Sequence, residues 1–223
     1  MTHLDVEIKR LKTDMIEMFQ MVSSQLSKAK EALTTLDKDL ALEVMEKERR
    51  VNSFELKLDR DCENIIALFN PVAVDLRFVL ACLKINTNLE RNGDIADGIA
   101  RFVLKIKTEP EKQLLESTRL LEMFSVAIEM MKDVALAFET EDTKLARSVF
   151  QRDIALDEIN LNANNAVVEF IKGNNDKINQ SLYVLSTIRK LERIGDQCKN
   201  IAEEIIFYIE AKVLKHVPPK PLS

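Results

Sequence analysis

Two short strings in the sequence each place a pair of carboxylates around a glycine. The first, Glu-Arg-Asn-Gly-Asp, occupies residues 90–94, and the second, Glu-Arg-Ile-Gly-Asp, occupies residues 192–196. The two acids of each string are four residues apart, so both fall on one face of a helix. Carboxylate oxygens in such a row can bind a hard cation, and a glycine inside a helix indicates that a neighbouring helix or a ligand comes close. The strings therefore predict metal binding.

Further acids extend each string into a larger candidate site. Asp97 lies on the same helix face as the first string, and a second acidic row precedes each string in the chain. Short turns between long helices would bring the two rows of each half face to face. The candidate metal ligands are Glu48, Glu55, Asp59, Glu90, Asp94 and Asp97 in the first half, and Asp153, Asp157, Glu192 and Asp196 in the second half.

The two candidate sites differ in composition, and this predicts different affinities. Asn160 and Asn164 stand in the second half where the first half has Glu55 and Asp59, and Lys199 stands opposite Asp97. Neutral amides are poorer cation ligands than carboxylates. We expect the first site to be the stronger of the two if both bind metal.

A less specific interpretation remains open for the same residues. Acids four residues apart on a long helix often form only a solvated, salt-bridged face, and Asp97 can reach Arg101 just as Lys199 can reach Asp196. Close helix packing alone would explain Gly93 and Gly195. Crowded carboxylates would nevertheless be pushed towards protonation unless a cation joined them. An all-oxygen site suits Mg²⁺, Mn²⁺, Ca²⁺ or iron, whereas the absence of a Glu-x-x-His string disfavours a ferritin-like di-iron centre.

The elements that must position these residues are predicted to be helices throughout. Apolar periodicity, short turns and the matching halves predict an all-α fold of two tandem three-helix up-down-up bundles, related by internal duplication. The predicted units are residues 1–108, residues 109–215 and a tail at 216–223. The six predicted helices run from Leu4 to Leu36, from an N-cap at Asp39 to Phe69, from Pro71 to Lys107, from Glu111 to Phe138, from a turn at 139–142 to Ile171 with Gly173 left-handed after it, and from Lys177 to Leu214.

Composition limits the classes of function. The net charge is −5 and no basic stripe with interleaved aromatics occurs, so nucleic acid is not an expected partner. The longest apolar run, residues 78–83, is too short for a membrane span, and the first residues lack the pattern of a secretory signal. Three widely spaced cysteines are expected to be buried thiols in a reducing cytoplasm. No nucleophile–base pair or phosphate-binding glycine loop indicates an enzyme.

With these strings and offsets in view, the chain resembles the PhoU family over nearly its whole length. The resemblance also rests on the pattern Val-Asn-x-x-Glu at residues 51–55 and on Pro-x-x-x-Asp-Leu-Arg at residues 71–77. It implies a cytoplasmic homodimer that negatively regulates phosphate uptake and the phosphate-starvation response. The implied partners are a sensor histidine kinase and the ATPase of the phosphate ABC transporter, which would bring the protein to the membrane only indirectly. The resemblance also implies metal ions such as iron, Mn, Mg or Zn on the acidic motifs.

Two other functions stay open on the sequence alone. One is a metal-dependent hydrolase built on the acidic rows. The other is a helical interaction module that binds no metal. The adaptor function is the leading hypothesis, because it combines the duplicated acidic motif with the family resemblance.

Overall fold

The computed structural model describes residues 2–214, a range in which the chain forms helices and no strand. Seven α-helices occur in this range: α1 (His3–Thr35), α2 (Lys38–Phe69), α3 (Ala73–Lys105), α4 (Lys112–Ser117), α5 (Leu120–Thr140), α6 (Thr143–Gly173) and α7 (Ile178–Glu210). A single turn of 3-10 helix, Asn175–Lys177, precedes α7. The predicted all-α fold with two three-helix bundles is confirmed. The predicted tail at 216–223 lies outside the described residues.

The predicted fourth helix, from Glu111 to Phe138, is wrong because the chain breaks within it. Thr118 Oγ1 donates a hydrogen bond to the Leu114 carbonyl, and Arg119 adopts the left-handed conformation with φ 54°. The Arg119 guanidinium then bonds to Glu122 of α5 and to Glu158 of α6. A short α4 therefore ends before α5 begins, a break that the apolar periodicity alone did not indicate.

The start of α2 was also predicted incorrectly. Asp37, not Asp39, is the N-cap, and its Oδ1 accepts a hydrogen bond of 2.9 Å from the Leu40 amide. Asp142 caps α6 in the same way, accepting from the amide of Leu145 at 3.0 Å. A cap oxygen satisfies amides that have no partner inside the helix, so the carboxylate two residues earlier begins the helix.

Two helix ends differ from the prediction as well. Gly173 was expected to be left-handed, but it is the last residue of α6, and none of the described glycines has a positive φ. Asn174 ends that helix instead, and its Nδ2 donates to the Phe170 carbonyl at 2.9 Å. The last helix ends at Glu210 and not at Leu214, because Ala211 is left-handed and its amide bonds back to Phe207.

The two bundles share one core. Helix α3 packs along α7, and α1 packs against α5. Four rings from these helices meet there: the centroids of Phe19 and Phe138 are 5.4 Å apart, and those of Phe78 and Tyr208 are 5.3 Å apart. Each half contributes two of the rings, so the apolar interior continues across the boundary between the repeats.

Other features of the described range agree with the composition. The three cysteines are buried and free, as predicted. Among residues 2–214, no helix is both long and apolar enough to cross a lipid bilayer.

Candidate metal sites

Each duplicated glycine makes room for a buried carboxylate from the adjacent helix. A Cβ atom on Gly93 of α3 would lie 2.9 Å from Glu48 Oε2 of α2. A Cβ atom on Gly195 of α7 would lie 2.7 Å from Asp153 Oδ1 of α6. Glu48 is 7% exposed and Asp153 is 4% exposed. The glycines thus allow close helix packing, and the group that comes close in each repeat is an acid.

The surroundings of the two glycines correspond position by position. Gln25 and Val51 complete the neighbourhood of Gly93, and Met130 and Leu156 complete that of Gly195. Both pairs are offset by 105 residues, the same offset as between the two buried acids. The repeats therefore have the same local geometry with different side chains.

In the first repeat, the buried acid has an amide as its hydrogen-bond partner. Gln25 Nε2 of α1 donates to Glu48 Oε2 at 2.9 Å, while Glu48 Oε1 is buried without a hydrogen-bond partner in the described structure. Burial, opposed by the hydrogen bond from Gln25 and assisted by the nearby carboxylates of Asp94, Asp97 and Glu90, raises the pKa of Glu48 to about 7. The site thus has an excess of negative charge.

Asp97 adds a second buried acid to this site. It is 8% exposed, and its Oδ2 accepts a hydrogen bond of 2.6 Å from Nε of Arg101 on the same helix. Its Oδ1 is buried and has no hydrogen-bond partner among the described residues. The sequence-based expectation that Asp97 reaches Arg101 is confirmed, but one carboxylate oxygen remains available.

The other predicted ligands of the first repeat form a more open rim. Asp94 is exposed, and Glu90 is partly buried beside it. Burial raises the pKa of Glu90, with added effects from Asp94 and Glu55. Farther along α2, Asp59 Oδ1 accepts a hydrogen bond of 2.8 Å from Asn86 Nδ2. The structure thus groups Glu48 with Glu90, Asp94 and Asp97, and links Glu55 and Asp59 to this group at one end.

In the second repeat, a lysine lies among the acids. Lys199 Nζ forms an ion pair with Asp153 and lies 2.8 Å from Asp196 Oδ1. Burial raises the pKa of Asp153, with Lys199 opposing this effect. Burial also disfavours charge on Lys199, but its two carboxylate partners outweigh burial and raise its pKa overall. This cluster therefore already contains a cation.

The remaining candidates of the second repeat lie nearer to solvent. Asp157 is exposed, and Glu192 is partly buried, with a pKa raised by burial and then by Asp196, Asp157 and Asp153. Asn164 Oδ1 accepts a hydrogen bond of 3.2 Å from Arg189. The amide that replaces an acid here is bound to a protein cation.

The two clusters fit a metal ion unequally. Within residues 2–214, no three His, Cys, Asp or Glu side chains already adopt the arrangement of a metal site. The first cluster fits a hard cation by its donors, because Glu48 and Asp97 each keep a buried oxygen without a partner. The second cluster does not fit, because Lys199 lies between Asp153 and Asp196.

Sequence reasoning missed two polar side chains that do not belong to the acidic rows. Gln25 of α1 and Asn86 of α3 both bind acids of the first cluster. The sequence contained a signal for Gln25, since it interrupts the apolar positions of α1, and the structure shows its side chain fully buried. Buried amides of this kind need a polar partner on a neighbouring helix.

Gly98, which is not duplicated, is explained by a contact between the repeats. A Cβ atom there would lie 2.6 Å from Lys190 Nζ of α7, which also lies 5.4 Å from the Phe102 ring centroid. Asn200 of α7 occupies the position equivalent to Gly98, and Asn88 of α3 occupies the position equivalent to Lys190. Asn200 Nδ2 donates a hydrogen bond to Asn88 Oδ1 at 3.3 Å. The long side chain of Lys190 thus fills the space that Gly98 leaves empty, whereas the two asparagines, Asn88 and Asn200, fill the equivalent space.

Comparison with known proteins agrees with this duplicated architecture. The PhoU domain matches residues 15–103 and again residues 120–205. The chain belongs to the PhoU family. It is 34% identical to the phosphate-specific transport system accessory protein PhoU of Escherichia coli over 96% of this chain and 88% of that protein. It is 32% identical to a PhoU homologue of Thermotoga maritima, over 96% of this chain and 91% of that one.

Solved PhoU structures have the same fold. The crystal structure of PhoU from Pseudomonas aeruginosa superposes with a TM-score of 0.89 at 29% identity, covering 94% of this chain and all of that one. The phosphate transport system regulatory protein PhoU from Streptococcus pneumoniae gives a TM-score of 0.83 at 28% identity, over 95% and 99% of the two chains.

Proposed function

We propose that this chain is a negative regulator of phosphate uptake and of the phosphate-starvation response. It acts in the cytoplasm as a non-enzymatic adaptor between the ATPase of the phosphate ABC transporter and a sensor histidine kinase. The observation that carries the proposal is the PhoU domain in both halves, together with relatives of matching length that are named as accessory proteins of phosphate-specific transport.

Cation binding in the first repeat forms part of the proposal. Glu48 and Asp97 would supply buried oxygens, and Glu90 and Asp94 would complete the site from its rim. A bound cation such as iron, Mn, Mg or Zn would neutralise these acids and fasten α2 to α3. The unpartnered buried oxygens support this role, since an ionised carboxylate without a partner is costly to bury.

A homodimer is the third part of the proposal, and a surface of α6 supports it. Ile154, Leu161 and Val168 follow each other at intervals of seven residues and are 60%, 79% and 54% exposed. Two copies of α6 crossing antiparallel at Leu161 would place Ile154 against Val168. The same register sets Asp157 beside Asn165 of the other copy, an acceptor beside an amide donor. This self-complementarity favours a second copy of the chain as the partner that packs against these three side chains.

Complementation of a deletion strain tests the regulatory function. A strain of the source organism without this gene should express its phosphate-starvation genes in high phosphate, and the intact gene should restore repression. Repeating the test with Glu48→Gln and with the exposed neighbour Glu46→Gln separates the cation site from the fold. We expect only Glu48→Gln to lose repression. Normal repression in the deletion strain, with no second gene of this family present, would contradict the proposal.

A further inference from the structure

The two repeats surround the same buried carboxylate with different partners. Glu48 of the first repeat has the neutral amide of Gln25. Asp153 of the second repeat has the ammonium of Lys199, and Met130 takes the place of Gln25. A thioether cannot donate a hydrogen bond. The second repeat has thus replaced an amide with a cation that comes from a different helix.

The lysine stands at a position where the first repeat has an acid. Lys199 and Asp97 are 102 residues apart, the same offset as between the two glycine strings. Exchanging a carboxylate for an ammonium changes the local charge by two units. Lys199 also lies between two acids from different helices, Asp153 of α6 and Asp196 of α7, as a bridging metal ion would.

Among residues 2–214, no lysine or arginine forms an ion pair with Glu48, and Lys190 of α7, which lies beside Gly98 and near Asp97 and Asp94, pairs with neither of these acids. Arg101 binds Asp97 from the solvent side, where the arginine side chain is 58% exposed. Glu48 Oε1 and Asp97 Oδ1 stay buried without partners among the described residues. A buried acid in low-dielectric surroundings must be neutralised by a proton or by a cation. These two buried oxygens therefore still lack the neutralising partner that Lys199 supplies in the second repeat.

We propose that Lys199 is a built-in counter-ion that takes the place of a metal ion in the second repeat, so that added cations bind in the first repeat only. The inference rests on the cation site proposed above for the first repeat. An ammonium between Asp153 and Asp196 satisfies their charge and repels a second cation. The first bundle then needs a bound metal ion to neutralise its buried acids, whereas Lys199 already neutralises those of the second bundle.

A charge exchange between the repeats tests this directly. Metal-free protein is titrated with Mn²⁺, and the bound ions per chain are measured by calorimetry and by elemental analysis. Lys199→Asp should raise the number of Mn²⁺ ions per chain, and Asp97→Lys should lower it. In the otherwise unmodified protein, Asp153→Asn should leave the number of bound Mn²⁺ ions per chain unchanged, whereas Glu48→Gln should lower this number. The matched control is Lys172→Asp, an exposed lysine near the end of α6 that pairs with Glu169.

Thermal unfolding gives a readout that does not depend on regulation in the cell. Lys199→Met keeps much of the side-chain volume and leaves Asp153 without its cation, so this variant should unfold at a lower temperature and regain stability when Mn²⁺ is added. The unmodified protein should gain stability from Mn²⁺ through the first repeat alone, so Asp153→Asn should preserve that gain. If Lys199→Asp fails to fold, Lys199→Met still tests the role of Lys199.

Distinct results would overturn the two linked proposals. Loss of bound Mn²⁺ in Asp153→Asn would refute the role of Lys199, and so would an unchanged count in both folded Lys199 variants. An unmodified protein that binds no Mn²⁺, beside a Lys199→Asp variant that does, would refute the cation site of the first repeat and support the role of Lys199. Absence of binding in every variant would refute both.

Discussion

At the scale of single residues, two buried acids at equivalent positions are held in chemically different ways. Glu48 faces other carboxylates and one amide, whereas Asp153 faces a lysine. The glycines opposite them are required because a side chain would collide with these acids. A duplicated backbone has thus kept its shape while the electrostatics of the two sites diverged.

The raised pKa of Glu48 predicts how stability depends on pH. Its pKa rises from 4.5 in the unfolded chain to about 7 in the folded one, so the folded state binds the proton more tightly between these values. Stability from this group is full below pH 4.5 and is lost as the pH rises through 7. Between pH 5 and pH 8 the metal-free protein should lose on the order of 2 kcal/mol through Glu48.

Urea unfolding at pH 5 and pH 8, with a chelator present, measures this loss. Glu48→Gln should flatten the pH dependence relative to Glu46→Gln, which changes an exposed residue of the same helix. Equal pH dependence in the two variants would contradict the assignment. Added Mn²⁺ should restore stability at pH 8 in the unmodified protein, where Glu48 is ionised.

Gly195 offers a second prediction at the same scale. A methyl group there would lie 2.5 Å from Leu156 Cδ1 and 2.7 Å from Asp153 Oδ1, so the packed neighbours would have to move. We expect Gly195→Ala to destabilise the protein by about 1–3 kcal/mol despite its better helix propensity. Gly173→Ala is the control, because nothing lies within 4 Å of the added atom. Thermal unfolding of the two variants measures the difference in stability. Equal melting temperatures would contradict the close contact at Gly195.

At the scale of elements, the duplication appears in how the helices begin. The second helix of the first repeat and the corresponding helix of the second are each capped by an aspartate, Asp37 and Asp142, 105 residues apart. The residue immediately before each cap, Leu36 or Glu141, is left-handed and ends the preceding helix, so the chain reverses its direction there. The turn and the cap therefore form one unit that sets the antiparallel direction of the helices.

The capping assignment predicts different effects for two neighbouring aspartates. Asp37→Ala removes the acceptor for the Leu40 amide and should cost about 1 kcal/mol of stability. Asp39→Ala removes only a favourable charge in the first helical turn and should cost about 0.3 kcal/mol. Chemical denaturation of both variants provides the comparison. A larger loss in Asp39→Ala would support Asp39 as the cap and contradict the structure.

At the scale of the whole molecule, the repeats form one body with two unlike outer faces. Lys84 of α3 binds the buried Glu204 of α7 at 3.1 Å, and the four rings of the core join α1 and α3 to α5 and α7. The apolar row on α6 has no counterpart on α2, where Arg49 and Glu63 occupy two of the three equivalent positions. A surface that only one repeat has is not explained by the fold, which both repeats share.

The α6 row predicts the assembly state. Leu161→Glu would place two carboxylates against each other where the antiparallel helices cross, and should convert the proposed dimer into a monomer. Light scattering after size-exclusion chromatography measures the mass directly. Leu56→Glu, at the equivalent position of α2, is the matched control and should leave the dimer intact. A monomeric unmodified protein, or a dimer that survives Leu161→Glu, would exclude this interface.

Much of the architecture could be predicted because it depends on local sequence. Apolar periodicity, the break at Asn70 and the repeated strings predict the helices, their order and their duplication, since these signals act within a few residues. The same signals failed at Arg119, where bonds to Glu122 and Glu158 hold a left-handed residue inside an apparently continuous helix. Glu158 belongs to another helix, so the pattern around Arg119 could not reveal it.

The sequence by itself determined that acids and glycines recur in two equivalent places, because both copies can be read directly from the chain. Only the tertiary structure decided that Gln25 reaches Glu48, that Lys199 reaches Asp153, and that Lys190 fills the space beside Gly98. The physical reason is that each of these contacts joins different helices. Which side chain meets a buried charge depends on how the helices pack, and that packing is a property of the whole core.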